Sequence, residues 1–452
     1  MKQVAAPPEN PPRGVRRLSR PSTGPAPGWR PVLDGKLAKL ALETAGSLGA
    51  ALAGPLQDWG PLEAPAEARG GRRPASLAGG TAGLAVLFAY LGEAGVDRDG
   101  FEKASELLDE SADTVASVVM DSSFYGGFSG IAWAVSHVTN PADDEDDPAA
   151  DVDAEVLSLL DGPPWIGDYD LVSGLVGLGV YALERLPRPA SAQALHRIVD
   201  RLGATAERGD GGVTWRTSPD VMTAQLRQEC PDGHHNLGLA HGLPGVVALL
   251  GQIAAAGVSP EKARALLDGA VAWLLRQKRP GEGSTFPHWV VPGVEPGDCR
   301  SAWCYGDPGV AASLLLAARS VGEPEWEREA LEIGLRAARR PVEAAGVLDA
   351  GLCHGAAGLG HVFNRMWQIT GDEELRRAAA FWLERALAMR EPGTGLAGFR
   401  SAWREDDGTL RQVQDPGLLS GVAGIALALL AAATPIEPEW DRLLLLSGAE
   451  AM

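Results

Sequence analysis

Residues 236–257 read NLGLAHGLPGVVALLGQIAAAG. A Gly-x-x-Gly element, Gly242 to Gly245, opens a segment that is apolar on nearly every side when it is drawn as a helix. A helix of that kind is buried all round. Glycine lets the backbone turn sharply and approach its neighbours closely. The stretch therefore predicts a buried helix that starts at a tight glycine turn.

The same element recurs along the chain, each time followed by a small or apolar stretch. It begins seven times, at Gly80, Gly127, Gly174, Gly242, Gly306, Gly355 and Gly421. The intervals are 47, 47, 68, 64, 49 and 66 residues, and each is long enough for two helices and a loop. Self-similarity at such a period indicates a repeat architecture.

Amphipathic segments lie between the glycine elements. Ser259-Pro260-Glu261 supplies a cap, a first-turn proline and an acid, and apolar residues follow at helical spacing. Similar segments run from Pro324 to Arg340 and from Asp372 to Arg390. Alternating amphipathic and fully apolar helices predict an all-α fold, an α/α toroid with an inner and an outer ring of helices. The glycine turns, and any site, would then meet at one end of the inner ring, where helix N-termini give a positive bias.

The composition is that of a globular protein. Of the 452 residues 45% are hydrophobic and 22% charged, which excludes disorder of the whole chain. The formal net charge of −19 argues against nucleic-acid binding, because contacts to phosphates need a basic face. Residues 1–34 are rich in proline and arginine and predict a flexible tail, followed by one domain over residues 35–452. Residues 143–155 hold eight acids and are interpreted as a solvated surface loop.

The cysteine content bears on the compartment. The four cysteines, Cys230, Cys299, Cys304 and Cys353, are too few for a disulfide framework in a chain of this length. The longest apolar run, 425–433, has nine residues, far short of the roughly 20 that span a bilayer. No apolar run near the N-terminus could form the core of a signal peptide. These features predict a reducing compartment.

Reactive side chains stand directly before three consecutive glycine elements. His241 precedes the fourth, Cys304 the fifth, and Cys353 with His354 the sixth. Two cysteines and a histidine are donors that zinc prefers, and three protein ligands leave a fourth position open, as in catalytic zinc sites. The alternative is that both cysteines are small buried core residues. Cys304 and Cys353 hold nearly equivalent places in adjacent repeats, which favours a shared zinc site.

This set of motifs resembles the lanthionine synthetase C-like family, the lanthipeptide cyclases. The resemblance rests on NLGLAHGLPG (236–245), on WCYG (303–306) followed by Pro-Gly, and on CHG (353–355) followed by Gly, all set in the seven repeats. It covers residues 36–440. The resemblance implies a zinc-dependent cyclase that adds peptide cysteines to dehydroalanine or dehydrobutyrine and so forms lanthionine or methyllanthionine thioethers.

The resemblance also implies the site residues. The ligands of one zinc ion per chain would be Cys304, Cys353 and His354. The family's other active-site positions fall on Asp170, His241, Arg300 and Tyr305. Histidine, with a pKa near neutrality, is suited to protonate the α-carbon after the thiolate attacks, while the aspartate would orient its ring and the arginine would stabilise the enolate oxygen. Each of these positions also has a purely structural reading: helix cap, core histidine, surface charge and core tyrosine.

Several alternatives stay open at this point. A LanC-like protein on the same fold could add glutathione or another thiol to dehydroamino acids. A non-catalytic, zinc-stabilised scaffold could bind a precursor peptide or a dehydratase, but the shared presence of histidine, aspartate and arginine would then have no common reason. A protein prenyltransferase β subunit also activates a peptide thiol with zinc on a toroid, but its ligand set is Asp-Cys-His. A glycosidase would need paired carboxylates.

The family resemblance further implies partners. The substrate would be a dehydrated precursor peptide, with a dehydratase acting beside the protein and a membrane exporter after it. Asp307, inside the fifth glycine element, is left without a role, and Cys230 and Cys299 match nothing in the family's motifs.

Overall fold

The structure is a computed structural model, and it describes residues 28–54, 75–139, 147–222, 224–281, 283–291, 293–404 and 409–448. Most of the predicted tail, residues 1–27, and residues 143–146 of the acidic run lie outside these ranges. The predicted boundary between tail and domain stays a prediction. Within the described ranges, no helix combines the length and the apolar character needed to cross a membrane.

Helices account for most of the described chain. In chain order they are α1 (Gly35–Leu52), α2 (Thr81–Glu93), α3 (Gly100–Ser117), α4 (Phe128–Thr139), α5 (Ala150–Asp161), α6 (Leu175–Glu184), α7 (Pro189–Thr205), α8 (Ala224–Glu229), α9 (Leu243–Ala255), α10 (Pro260–Leu275), α11 (Asp307–Val321), α12 (Pro324–Ala338), α13 (Val342–Ala345), α14 (Ala356–Thr370), α15 (Glu373–Ala388) and α16 (Val422–Ala433). Short 3-10 helices span Pro219–Val221 and Glu439–Leu444. The predicted all-α class is confirmed.

Short strands lie in the connections between helices. They are β1 (Glu207–Gly209), β2 (Gly212–Thr214), β3 (His235–Asn236), β4 (Trp289–Val290), β5 (Ser401–Arg404) and β6 (Leu410–Val413). They pair antiparallel as β1 with β2, β3 with β4, and β5 with β6. The segments 208–235 and 279–299, which lie between helices, thus carry part of this pairing. Strands of two or three residues are too short to show the alternation that reveals a strand in sequence.

The glycine elements are followed by the predicted buried helices, namely α2, α4, α6, α9, α11, α14 and α16. In α16 every residue from Val422 to Ala432 is buried. The three segments predicted to be amphipathic form α10, α12 and α15. Asp372 caps α15 by accepting the backbone N–H groups of Glu374 and Leu375, at 2.8 and 3.3 Å. The helical periodicity was therefore sufficient to place both kinds of helix.

The chain divides into two compact units. Of the described residues, the first comprises those within the ranges 28–120, 130–147 and 347–440, and the second those within 121–129, 148–346 and 441–448. In the first unit α2 packs on α3, α14 packs on α15, and α16 lies against α1, α2 and α14. In the second unit α9 lies against α6, α10 and α11, and α11 also packs on α12. In each unit, helices that follow a glycine element are covered by amphipathic ones.

The second glycine of a repeat lies against the carbonyl oxygen of the residue six positions earlier. A Cβ built there would come to 1.6–2.6 Å from that oxygen at Gly83, Gly177, Gly245, Gly309, Gly358 and Gly424. The shortest approach is between Gly358 and Leu352 O. Because real Cβ atoms do not come that close to another atom, only glycine fits at these positions. The element is therefore required by backbone packing at the start of these six buried helices.

A second regularity, which the sequence analysis missed, lies six residues before the first glycine. Aspartate or asparagine occupies this position as Asp121, Asp168, Asn236, Asp349 and Asp415, and Arg300 occupies it in the fifth repeat. The side-chain Oδ1 accepts the backbone N–H two residues later, at 2.7–2.9 Å, in the pairs Asp121–Ser123, Asn236–Gly238, Asp349–Gly351 and Asp415–Gly417. Such a bond imitates a backbone turn. It shapes the six residues before the first glycine of a repeat. We call this segment the repeat loop.

Backbone hydrogen bonds join neighbouring repeat loops within each unit. In the second unit the donor and acceptor pairs are Phe124 N to Val172 O, Leu171 N to Ala240 O and Ala240 N to Cys304 O, at 3.0, 3.1 and 3.3 Å. In the first unit they are Cys353 N to Leu419 O and Leu418 N to Ala78 O, at 2.7 and 2.8 Å. All of these groups lie two or three residues before a first glycine. Equivalent residues of successive repeats are therefore held side by side.

The interpretation of the acidic run as a surface loop is wrong over most of its described part. Residues from Ala150 onward form α5, and the side chain of Asp153 is only 9% exposed. Its carboxylate lies 2.5 Å from Nη2 of Arg185, whose side chain is fully buried, and also accepts the Tyr181 hydroxyl at 2.5 Å. Counting acids could not distinguish this buried ion pair from a solvated charge.

Removing one partner of that ion pair should destabilise the second unit strongly. We expect Asp153→Ala to lower the free energy of unfolding by about 3–5 kcal/mol, because the buried Arg185 guanidinium would lose its ion pair with Asp153 and the Tyr181 hydroxyl would lose its acceptor. Urea unfolding followed by circular dichroism measures the loss. The control is Asp161→Ala, which breaks the exposed ion pair with Arg197 and should cost less than about 1 kcal/mol. Equal losses for the two variants would contradict the prediction.

Candidate metal centre and active site

The three predicted zinc ligands form one group, the Cys-Cys-His group. Sγ of Cys304, Sγ of Cys353 and a ring nitrogen of His354 all lie within 4.8 Å of one another. Both cysteines stand two residues before the first glycine of their repeats, so their positions are equivalent. Nδ1 of His354 is buried and has no hydrogen-bond partner among the described residues, and a metal ion would satisfy it. Two sulfurs and an imidazole nitrogen are a donor set that fits zinc.

The repeat loop that carries Cys353 and His354 is fixed from several directions. Asp349 accepts the N–H of Gly351 with Oδ1 and that of Ala402, at the start of β5, with Oδ2, at 2.9 and 2.7 Å. The backbone N–H of Cys353 itself donates to Leu419 O. A loop held in this way presents the cysteine and the histidine with little freedom, as a metal site requires.

Cys304 has a cationic neighbour. Nη2 of Arg300 lies 3.8 Å from Sγ of Cys304, whose residue is 4% exposed. Arg300 occupies the repeat position that elsewhere carries the turn-forming aspartate or asparagine, so its side chain is not committed to the turn. A guanidinium beside the sulfur favours the thiolate form, which is the form that binds metals.

His241 and Asp170 form a hydrogen-bonded pair. Nδ1 of His241 lies 2.8 Å from Oδ2 of Asp170, and the histidine side chain is 43% exposed while that of the aspartate is 2% exposed. The other carboxylate oxygen accepts the N–H of Ser173 at 2.8 Å. Partial burial would lower the pKa of His241, but the hydrogen bond and the charge of Asp170 outweigh it and raise that pKa. With Nδ1 engaged, Nε2 is the ring nitrogen available for proton transfer.

Tyr305 adjoins this pair. Its ring is stacked against that of His241, with centroids 5.9 Å apart, and lies 5.4 Å from the ring of His288. Its hydroxyl accepts a hydrogen bond from Nδ2 of Asn236 at 2.9 Å. Burial raises the pKa of the Tyr305 hydroxyl, so the phenol stays protonated. Asp170, His241, Arg300 and Tyr305 all belong to the second unit, and their catalytic roles stay predictions.

Two acidic residues near the site were missed or left unassigned. Burial and the charge of Asp170 raise the pKa of Asp168 to about 6, so a second titratable carboxyl stands beside the histidine pair. Its signals in sequence were the Asp-x-Asp spacing and its place six residues before Gly174. Asp307 accepts the backbone N–H groups of Thr285 and Phe286 at 2.8 and 2.9 Å. It therefore ties the segment before the fifth repeat to the start of α11, which is a structural role.

The remaining cysteines lie outside the Cys-Cys-His group. Cys230 and Cys299 are both buried and free. Burial raises the pKa of Cys299 to about 12, so this thiol stays protonated. Neither has the environment of a reactive cysteine.

Comparisons with known proteins point to one family. Residues 72–445 match the family model described as lanthionine synthetase C-like protein. Nisin biosynthesis protein NisC of Lactococcus lactis subsp. lactis is 24% identical over 325 residues, which are 63% of this chain and 72% of that protein. Glutathione S-transferase LANCL1 of Danio rerio is 32% identical over 149 residues, which are 32% of this chain and 34% of that protein.

The fold agrees with these matches. The solved structure of nisin cyclase superposes with a TM-score of 0.66 at 20% identity, over 84% of this chain and 93% of that chain. A likeness at this identity concerns the fold alone, and it confirms the predicted α/α toroid. Since the family match spans most of the sequence, this chain belongs to the lanthionine synthetase C-like family.

Proposed function

We propose that this protein is a zinc-dependent cyclase that joins cysteine thiols of a dehydrated precursor peptide to dehydroalanine or dehydrobutyrine, forming lanthionine or methyllanthionine thioethers. The observation that carries the proposal is the Cys-Cys-His group, whose donors suit a catalytic zinc ion. Membership of the lanthionine synthetase C-like family and the likeness to a nisin biosynthesis protein support cyclisation of a peptide.

The metal would answer a specific chemical need. A peptide thiol with a pKa of about 8.5 is only a few per cent thiolate at pH 7, and the thiolate is the nucleophile. One zinc ion held by Cys304, Cys353 and His354 would supply an open coordination position at which a thiol is deprotonated. Arg300, beside Cys304, adds positive charge to the same surroundings.

His241 would provide the proton that completes the addition. When the thiolate attacks the β-carbon, the electron pair of the double bond moves through the α-carbon onto the carbonyl oxygen, and the α-carbon must then be protonated. The raised pKa of His241 keeps part of the imidazole protonated near neutral pH. Asp170 holds the ring by Nδ1 and stabilises its charged form. Arg300 would stabilise the developing negative charge on the oxygen.

A second candidate is transfer of glutathione to a dehydroamino acid. It is favoured by the 32% identity to a protein named glutathione S-transferase, although that match covers only 34% of the relative. Both reactions need the same activated thiolate and the same proton donor. They differ only in whether the thiol belongs to the peptide or to a separate molecule.

Mass spectrometry separates these candidates. The protein is loaded with zinc and incubated with a dehydrated, cysteine-containing peptide, with and without glutathione. Cyclisation leaves the peptide mass unchanged and protects its cysteine from alkylation, and we expect this result without added glutathione. A product heavier by one glutathione, formed only when glutathione is present and without ring closure, would favour thiol transfer. Peptide binding without either product would instead support a non-catalytic scaffold that binds the precursor peptide.

The proposed reaction also sets its place in a sequence of reactions. Dehydroalanine and dehydrobutyrine must first be made from serine and threonine, so a dehydratase has to act earlier on the same peptide. Action of a membrane exporter after cyclisation, and a cytoplasmic location, are proposals that rest on the family resemblance.

A further inference from the structure

We infer that Asn236 fixes the direction of the hydrogen bond at Tyr305, so that the tyrosine hydroxyl donates its own hydrogen into the active site. Asn236 would then be a positioning residue for the addition reaction, and Tyr305 a donor to the oxygen that gains charge. This inference rests on the proposed function, but its central element is a hydrogen-bond direction that can be measured separately.

The orientation of the Asn236 amide is determined by a backbone group. Oδ1 lies 2.9 Å from the backbone N of Gly238, which can only donate. The atom in that position must therefore be the oxygen, and the other arm must be the NH2 group. This Nδ2 lies 2.9 Å from Oη of Tyr305 and 3.3 Å from Nε2 of His234. Both amide hydrogens thus have acceptors.

His234 is suited to accept one of them. It is 1% exposed, and burial lowers the pKa of its ring to about 4, so the ring is neutral. An Nε2 that accepts from Asn236 carries no hydrogen of its own. The second amide hydrogen is then committed to His234, and the first to Tyr305.

The consequence falls on Tyr305. Because its oxygen accepts from Asn236, its own hydrogen must point elsewhere, and among the described residues Oη has no other hydrogen-bond partner. The ring has little room to move: a Cβ on Gly238 would lie 2.7 Å from two ring carbons, and the rings of His241 and His288 lie on or near its faces. The hydroxyl hydrogen is therefore available to a bound substrate.

Comparison of the repeats shows that the turn does not require an amide. Asp121, Asp349 and Asp415 make the same Oδ1 bond with a carboxylate. In Asp349 the second carboxylate oxygen, Oδ2, accepts the N–H of Ala402. In Asn236 the corresponding group is Nδ2, which donates to the Tyr305 hydroxyl. Asparagine thus replaces the aspartate of its sister repeats at the one repeat loop that contacts the Tyr305 hydroxyl.

The donor would act on the charge that develops during addition. As the thiolate adds, the carbonyl oxygen of the dehydro residue becomes an enolate oxygen, and a hydrogen bond to it strengthens. The tyrosine keeps its proton throughout, because the proton that ends on the α-carbon comes from His241. Loss of one such donor costs about 10²–10³ in turnover in enzymes that use them.

Asn236→Asp is the direct test, because the sister repeats show that aspartate supports this turn. The carboxylate would accept from Tyr305 and draw the hydroxyl hydrogen away from the substrate. With the zinc-loaded protein and dehydrated peptide, we expect Asn236→Asp to lower kcat about 10²- to 10³-fold with KM changed less than about threefold. We expect Tyr305→Phe to lower kcat equally. The double variant should be no slower than either single one. The control is Asp121→Asn, which alters an exposed residue at the same repeat position and should leave kcat unchanged.

Full activity of Asn236→Asp, or an equal further loss in the Tyr305→Phe background, would overturn the inference. If Asn236→Asp fails to fold, Asn236→Ala replaces it in the comparison of single and double variants with Tyr305→Phe, and the same outcomes are expected. The independent readout is the NMR shift of tyrosine Cζ, with the Tyr305 signal among the five tyrosines identified by its absence in Tyr305→Phe. Asn236→Asp should move that signal and Asp121→Asn should not; no movement would overturn the inference. Movement in a protein that adds no thiol to the peptide would reject the proposed function alone.

Discussion

Replacing either cysteine of the Cys-Cys-His group by alanine is expected to remove zinc and abolish thioether formation. Each variant leaves two protein ligands, whereas catalytic zinc sites use three together with one open position. Without the metal, the substrate thiol at neutral pH is almost entirely protonated. We therefore expect about one zinc per chain in the wild type and none in Cys304→Ala or Cys353→Ala, measured by elemental analysis beside the rate of ring closure.

The matched controls are the two cysteines outside the group. Cys230→Ala and Cys299→Ala remove buried free thiols of the same kind and should retain both zinc and activity. Circular dichroism of all four variants shows whether loss of zinc accompanies loss of the fold. Zinc retained in both ligand variants, or absent from a wild type prepared with zinc, would reject the thiol-activation mechanism. Zinc lost with activity kept would reject the metal's catalytic role.

The helices could be predicted because their signals are local. In six of the seven repeats the second glycine is fixed by a close approach to a carbonyl oxygen only six residues away, so the Gly-x-x-Gly element is visible in the sequence. The amphipathic pattern of α10 and the Asp372 cap of α15 are equally local signals. The two-residue strands β3 and β4 depend on a partner far along the chain, at residues 289–290, and no pattern of that length is visible in one strand.

The burial of Asp153 depends on tertiary contacts in the same way. Its carboxylate is paired with Arg185, 32 positions along the chain, and receives the hydroxyl of Tyr181. Nothing in an acid-rich run distinguishes the one member that is paired from the members that are solvated. Burial of a charge is a property of its partner, and the partner is set by packing.

In the candidate site, too, the residues that could be predicted depend on local signals and the others depend on contacts distant in sequence. The repeat register placed Cys304 and Cys353 at equivalent positions before the fold was known, since equivalence follows from counting to the next glycine. The function of Asn236 could not be read in this way, because its bond to Tyr305 spans 69 positions of the chain. The aspartate or asparagine six residues before the first glycine of five of the seven repeats was nevertheless present in the sequence. Recognising it would have marked Pro74, Asn236 and Arg300 as the three departures from aspartate.

Removing the imidazole of His241 is expected to slow ring closure without removing the metal. We expect His241→Ala to lower kcat by about 10²–10⁴, the usual contribution of a general acid, while zinc stays at about one per chain, because His241 is not in the Cys-Cys-His group. Asp170→Asn should produce a smaller loss, because the ring keeps a neighbour at Nδ1 but loses the charge that stabilises its protonated form. Rates and zinc content are measured on the same preparations.

The configuration at the α-carbon gives a sharper readout than the rate. A proton delivered by His241 reaches one face of the enolate, so the wild type should form a single α-epimer of the thioether, whereas water would protonate both faces in His241→Ala. The control is His196→Ala, since His196 has a 52% exposed side chain on α7 and should leave rate and epimer ratio unchanged. A single epimer at an undiminished rate from His241→Ala would assign the proton to another group. Asp168, whose pKa of about 6 keeps part of its carboxyl protonated near neutral pH, would then be the next residue to replace.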